Sequence, residues 1–165
     1  MKSSIHLPAL LAVALCISAP AQGAQPVTTS IQVPLAGTVF VPLSDGSFDS
    51  VALTGQAHVV THVIPPDPIH PPPVRIQVNL DQVSGVGDVS KLLYVATGAN
   101  RVNLATFPPD PVNLGFDLRA VGFPPEPVHP PDPAVPLDIS FILTFNPDTG
   151  ELLSVSIEAM SVTVP

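Results

Sequence analysis

From about residue 31 onward, apolar and polar side chains alternate with a period of two, and this alternation decides the fold class. Val74, Ile76, Val78 and Leu80 alternate with Arg75, Gln77, Asn79 and Asp81. Val112, Leu114, Phe116 and Leu118 do the same with Asn113, Gly115, Asp117 and Arg119. Leu137, Ile139, Phe141, Leu143 and Phe145 form a third apolar row, opposed by Asp138, Ser140 and Thr144. Successive side chains of an extended chain point to opposite faces, so each run reads as a strand with one buried face. Weaker runs cover 31–43, 48–64, 91–98, 101–107 and 151–164, and no segment sustains a 3.6-residue period. The expectation is an all-β fold: an antiparallel β-sandwich of about seven to nine strands, with an up-and-down β-barrel as the alternative.

Proline marks where the strands stop. The chain has 23 prolines in 165 residues, and most of them fall in three clusters: Pro65–Pro73, Pro108–Pro111 and Pro124–Pro136. Each cluster contains an apolar–Pro–Pro–acidic–Pro–apolar phrase, as in Ile64-Pro65-Pro66-Asp67-Pro68-Ile69 and Phe107-Pro108-Pro109-Asp110-Pro111-Val112. Proline has no N–H to give a ladder, so the clusters are long connecting loops of extended polyproline character. Their unequal spacing does not suit a solenoid of equal repeats.

Shorter connections have their own chemistry. Ser44-Asp45-Gly46-Ser47 and Asn146-Pro147-Asp148-Thr149-Gly150 read as hairpin turns, with glycine supplying a positive φ. Ser84–Asp88 reads as a looser glycine turn, and Gly98-Ala99-Asn100 as a tight reversal. In the last run the apolar set changes phase, from Leu153, Val155 and Ile157 to Met160, Val162 and Val164. A β-bulge near Ala159, or burial on both faces, would produce that change.

The first residues read as an export signal. Met1-Lys2 gives a positive start, Leu7–Ile17 a short apolar stretch, and Ala19-Pro20-Ala21 a small-residue cleavage site. The apolar run is well short of the roughly 20 residues that span a bilayer. Domain boundaries follow: 1–21 a cleaved signal (with a second option after residue 24), 22–30 a flexible segment, and 31–165 one all-β domain. Cleavage removes Cys16, the one cysteine, so the mature chain would hold no disulfide and no thiolate metal site. The expected location is outside the cytoplasm, secreted or periplasmic, in a bacterium, with no membrane span after cleavage.

Charge narrows the partners. Five Lys and Arg stand against 13 Asp and Glu, so no basic stripe exists and nucleic-acid binding is excluded. No G-x-S-x-G elbow, calcium-loop pattern or phosphate-cradling glycine loop occurs in the chain. His58 and His62 share a strand face but lie four residues apart, about 13 Å along an extended backbone, too far to share a metal unaided. We therefore assign no catalytic, cofactor-binding or metal-binding residue. His70 and His129 sit in matching Pro-His-Pro-Pro phrases. The candidate partner-binding loops are Pro65, Pro66, Asp67 and His70, with Pro124, Pro125, Glu126 and His129. Stiff polyproline segments suit a partner protein with an aromatic groove.

Three functions remain in order. The first is a non-enzymatic exported module with a structural or protein-binding role, engaging another envelope or extracellular protein. The second is a lipocalin-like barrel carrying a small apolar ligand, and the third is a secreted enzyme. If neighbouring strands simply alternate in direction, the two Pro-His-Pro-Pro loops share one end of the domain and the shorter cluster lies at the other.

Overall fold

The computed structural model describes residues 25–64, 71–121 and 134–163. Eight antiparallel strands build it: β1 (Val27–Pro42), β2 (Phe48–Val63), β3 (Val74–Val86), β4 (Leu93–Thr97), β5 (Ala99–Leu104), β6 (Val112–Val121), β7 (Val135–Phe145) and β8 (Leu152–Val162). No helix occurs among the described residues. The sheet runs β1-β2-β3-β4-β6-β7-β8, with β5 paired to β3. It curls until β8 meets β1, where the Leu152 N–H donates to Thr29 Oγ1 at 3.4 Å. The Met160 side chain lies over Gly37 in the same contact, in space that a Cβ would fill. The result is a nearly closed sheet, a shape that fits a flattened barrel or a two-sheet sandwich equally.

The alternating rows meet inside. Val51, Leu53, Ile76, Val78, Leu114, Phe116, Leu118, Ile139, Phe141 and Leu143 are all buried and belong to one apolar cluster. Leu80, Val155 and Ile157 are half-buried against it; Leu80 lies just before the irregularity of β3 at Gln82, and β8 is the last strand of the sheet. Among the described residues two inward positions are polar, Asp49 and Thr61; Thr61 is fully buried and its Oγ1 has no hydrogen-bond partner. An unpaired buried hydroxyl costs on the order of 1–3 kcal/mol. Thr61→Val is therefore expected to raise stability by about 1 kcal/mol, read as a higher urea midpoint at an unchanged m-value.

Several turns form as the sequence indicates. Leu43 and Ser47 close the first hairpin through Leu43 N–H to Ser47 O (2.8 Å), with Gly46 at φ 85°. Asn146 N–H donates to Glu151 O at 2.8 Å across the last one, where Asn146 Oδ1 accepts from Asp148 N–H at 2.9 Å. The phase change in β8 is a bulge: Ser140 pairs with Ala159 and Phe141 with Ile157, leaving Glu158 extra. A second bulge at Leu153 turns that residue outward and puts Leu152 into the core instead.

Three expectations need correction. β1 begins at Val27, inside the span expected to be loose, because Val27–Ser30 pair with Val60–Val63. The Ser84–Gly87 stretch is still laddered: Ser84 pairs with Thr54 and Gly87 bridges Val51, so the turn is displaced to Asp88–Ser90. The third correction has the widest consequence. Gly98 does not reverse the chain. β4 pairs with Val83–Val86 and β5 with Val74–Asn79, both antiparallel to β3, so the two run as one strand broken by a bulge. Gly98 (φ 125°) and, across from it, Gln82 (φ 52°) carry the kink, and Leu80 N–H donates to Gly98 O at 3.1 Å.

Candidate functional site

The kink at Gly98 opens the wall of the sheet. Below it, β4 pairs with Asp117–Val121 of β6; above it, β5 follows β3 and leaves β6. β6 meanwhile pairs with β7 along Val112–Leu118. Among the described residues no backbone ladder joins β5 to the Val112–Phe116 half of β6. Asn100 ties the foot of this seam, donating from Nδ2 to Gly115 O at 2.9 Å. Two strand edges therefore face each other without a ladder, each carrying unpaired N–H and C=O groups.

An open, largely apolar groove of about 380 Å³ lies at the open end of the seam. Val102 and Leu104 of β5, Val112 of β6, and Phe107, Pro108 and Pro111 of the connecting loop line it. Val102 and Leu104 lie in the inward phase of β5 yet are only half-buried, because the missing ladder exposes them. Phe107 anchors the loop by stacking on Phe145 at 4.9 Å between ring centroids, so the shortest proline cluster is fixed beside the seam.

The strand-end order moves the proline clusters. The strand ends flanking the first, Val63 and Val74, pair with each other, and the second follows Leu104, which pairs with Val74, so these strand ends share one end of the sheet. The strand ends flanking the third, Val121 and Val135, are at the opposite end, where Leu93 pairs with Val121 and Leu118 with Val135. Strand ends bearing the two Pro-His-Pro-Pro phrases are thus on opposite ends, contrary to simple alternation, because β4 and β5 count as one strand. The candidate loop residues Pro65, Pro66, Asp67, His70, Pro124, Pro125, Glu126 and His129 lie outside the described residues, as does the export signal.

Other titratable groups are engaged locally. His58 Nε2 is hydrogen-bonded to Ser30 Oγ at 2.6 Å and His62 Nδ1 to Thr28 Oγ1 at 2.8 Å, each pinned to the neighbouring strand. The Asp45 carboxylate accepts from the Ser47 hydroxyl and amide, which hold its pKa below the usual carboxylate value. Asp49 is fully buried and accepts from Ser90 Oγ, Val89 N–H at 2.8 Å and Tyr94 Oη at 3.1 Å. Burial pushes the Asp49 pKa up, but the hydrogen bonds from Ser90, Val89 and Tyr94 outweigh it and leave it lowered. This carboxylate clamps the β3–β4 turn onto β2 and has no open side for a ligand.

Among the described residues no group of three or more His, Cys, Asp or Glu could hold a metal ion. Nor is any helix long and apolar enough there to cross a membrane. No family model, curated protein or solved structure matches the chain.

Proposed function

We propose that the protein is a non-enzymatic binding module, exported to the cell envelope or beyond, that captures an extended segment of a partner protein at the β5–β6 seam. The observation that supports this is the pair of facing, unladdered strand edges beside an open, largely apolar groove. Main-chain hydrogen bonds would hold the added strand, and the groove would take its alternate apolar side chains. Pro108, Pro109 and Pro111 flank the opening and offer no donors, so they limit uncontrolled pairing with other chains.

The test uses a capped Thr-Val-Thr-Val-Thr-Val peptide as probe, with backbone amide signals recorded by NMR. Binding by strand addition shifts and protects amides in 99–104 and 112–116. Shifts confined to β1 and β8, or no shift at millimolar peptide, would overturn the reading. A second reading, transport of a small apolar ligand, rests on the half-buried Val102 and Leu104 and on a groove within the usual ligand-pocket range of roughly 300–1,000 Å³. Decanoate that perturbs Val102, Leu104 and Phe107 side chains, while the peptide leaves both edges untouched, would favour that alternative.

A further inference from the structure

The outer face of β3 and β5 carries two arginines that form no ion pair among the described residues. Register places Thr28, His62, Arg75 and Asn103 in one row across β1, β2, β3 and β5. Arg101 stands opposite Gln77 and is therefore the diagonal neighbour of Arg75 on adjacent strands, about 7–8 Å away by ordinary sheet spacing. Two of the three arginines of the chain meet here.

Both guanidiniums are oriented by neutral amides. Arg75 Nε donates to Asn103 Oδ1 at 3.1 Å, and Arg101 Nη2 donates to Gln77 Oε1 at 3.1 Å. Among the described residues the ion pair on an arginine is that of Arg119 with Asp117, both exposed on the outer face of β6, and neither Arg75 nor Arg101 has one. A guanidinium has five donors, and each of these keeps most of its fork for a ligand.

Beside Arg75 lies an open cleft of about 370 Å³. His62, Arg75 and Asn103 supply its polar wall; Ile64, Pro73 and Leu104 are among its apolar residues, and among the described residues no acidic side chain lines it. One side is thus built for an anion and the other for an apolar body. Antiparallel sheet directs backbone N–H groups along the sheet, so no N–H cradle for a tetrahedral phosphate faces this cleft. The donors offered are planar forks, which match a planar carboxylate.

We infer that the cleft between Ile64 and Asn103 is a binding site for a carboxylate carried on a short apolar body, with Arg75 as its anchor and Arg101, outside the lining of the cleft, as the neighbouring positive charge on β5. The carboxylate could be that of a free organic acid or the C-terminus of a polypeptide, and the probes separate these sources. This site uses the outer face of β3 and β5 and shares Leu104 alone with the seam groove.

The experiment titrates the protein with hexanoate, with Ala-Val-Leu bearing a free C-terminus, with the same tripeptide amidated, with hexanol and with inorganic phosphate, following amide and Arg side-chain NMR signals. Hexanoate or the free tripeptide should shift signals at His62, Ile64, Arg75 and Asn103 and leave 112–116 unmoved. Hexanoate alone identifies a free acid as the ligand type, and the tripeptide alone a chain end. Arg75→Gln should weaken binding about tenfold, the size of one lost charge-assisted hydrogen bond at an exposed site, Arg75→Lys less, and Arg119→Gln not at all. The inference is overturned if neither carboxylate probe binds, if hexanol, the amidated peptide or phosphate binds as well, or if Arg75→Gln leaves affinity unchanged.

Discussion

Replacing Phe141 by alanine is expected to destabilise the protein by about 3–5 kcal/mol. Phe141 is the largest of the fully buried side chains, 1% exposed in the middle of β7. It stands opposite Val112 of β6 on one side and Ile157 of β8 on the other, so its ring fills the space where three strands converge. Truncation removes the transfer free energy of the ring and leaves a cavity that a sheet laddered on both sides can close only in part. Equilibrium urea unfolding, monitored by far-UV circular dichroism, measures the loss. A change below about 1 kcal/mol would mean that the inward phase assigned to β7 is wrong.

A comparable loss is expected at Asp49, by a different mechanism. Asp49→Ala should cost about 3–5 kcal/mol, because it removes the carboxylate that accepts from the Val89 amide and the Ser90 hydroxyl and breaks its hydrogen bond with Tyr94 Oη. Asp49→Asn keeps the shape and should cost less, about 2 kcal/mol, since an amide accepts on one oxygen only. The pH dependence has a definite sign. The Asp49 carboxyl titrates below its ordinary value of 3.8 in the folded protein. Its contribution is therefore complete above the unfolded value and is lost as pH falls through the lower folded one. Stability of the native chain should fall on acidification below about pH 4, and Asp49→Asn should flatten that limb. An acid limb of equal steepness in the variant would assign the acid sensitivity to other carboxylates.

Much of this architecture is legible in the residues. The period-two rows locate all eight strands within a few residues, since a sheet with one wet face must alternate. The bulge at Glu158 is visible as a phase change between Ile157 and Met160. Asp49 is also legible after the fact: it shares the phase of Val51 and Leu53, so the alternation that buries them carries the carboxylate inside. Glycine is where local reading fails. A positive φ at Gly98 serves a hairpin or a bulge equally well, and only the partner strand decides between them. Here β3 continues past Gly98, accepts β5 on the same edge as β4, and turns an expected reversal into a kink. Strand order and the seam follow from that one glycine. The row His62–Arg75–Asn103 is unreadable for the same reason, because three distant segments become neighbours only through pairing.

The open seam is the claim on which the binding role depends, and native-state amide hydrogen exchange tests it without any ligand. In antiparallel pairing alternate N–H groups of a strand point to opposite edges. If β5 is laddered to β3 alone, protection along 99–104 alternates, with fast exchange at the amides that face the seam. The Val112–Phe116 half of β6 behaves the same way, while Asp117–Val121, laddered to β4, is protected on that edge. Uniform slow exchange through both 99–104 and 112–116 would show that β5 and β6 are joined by a ladder, and would contradict the account.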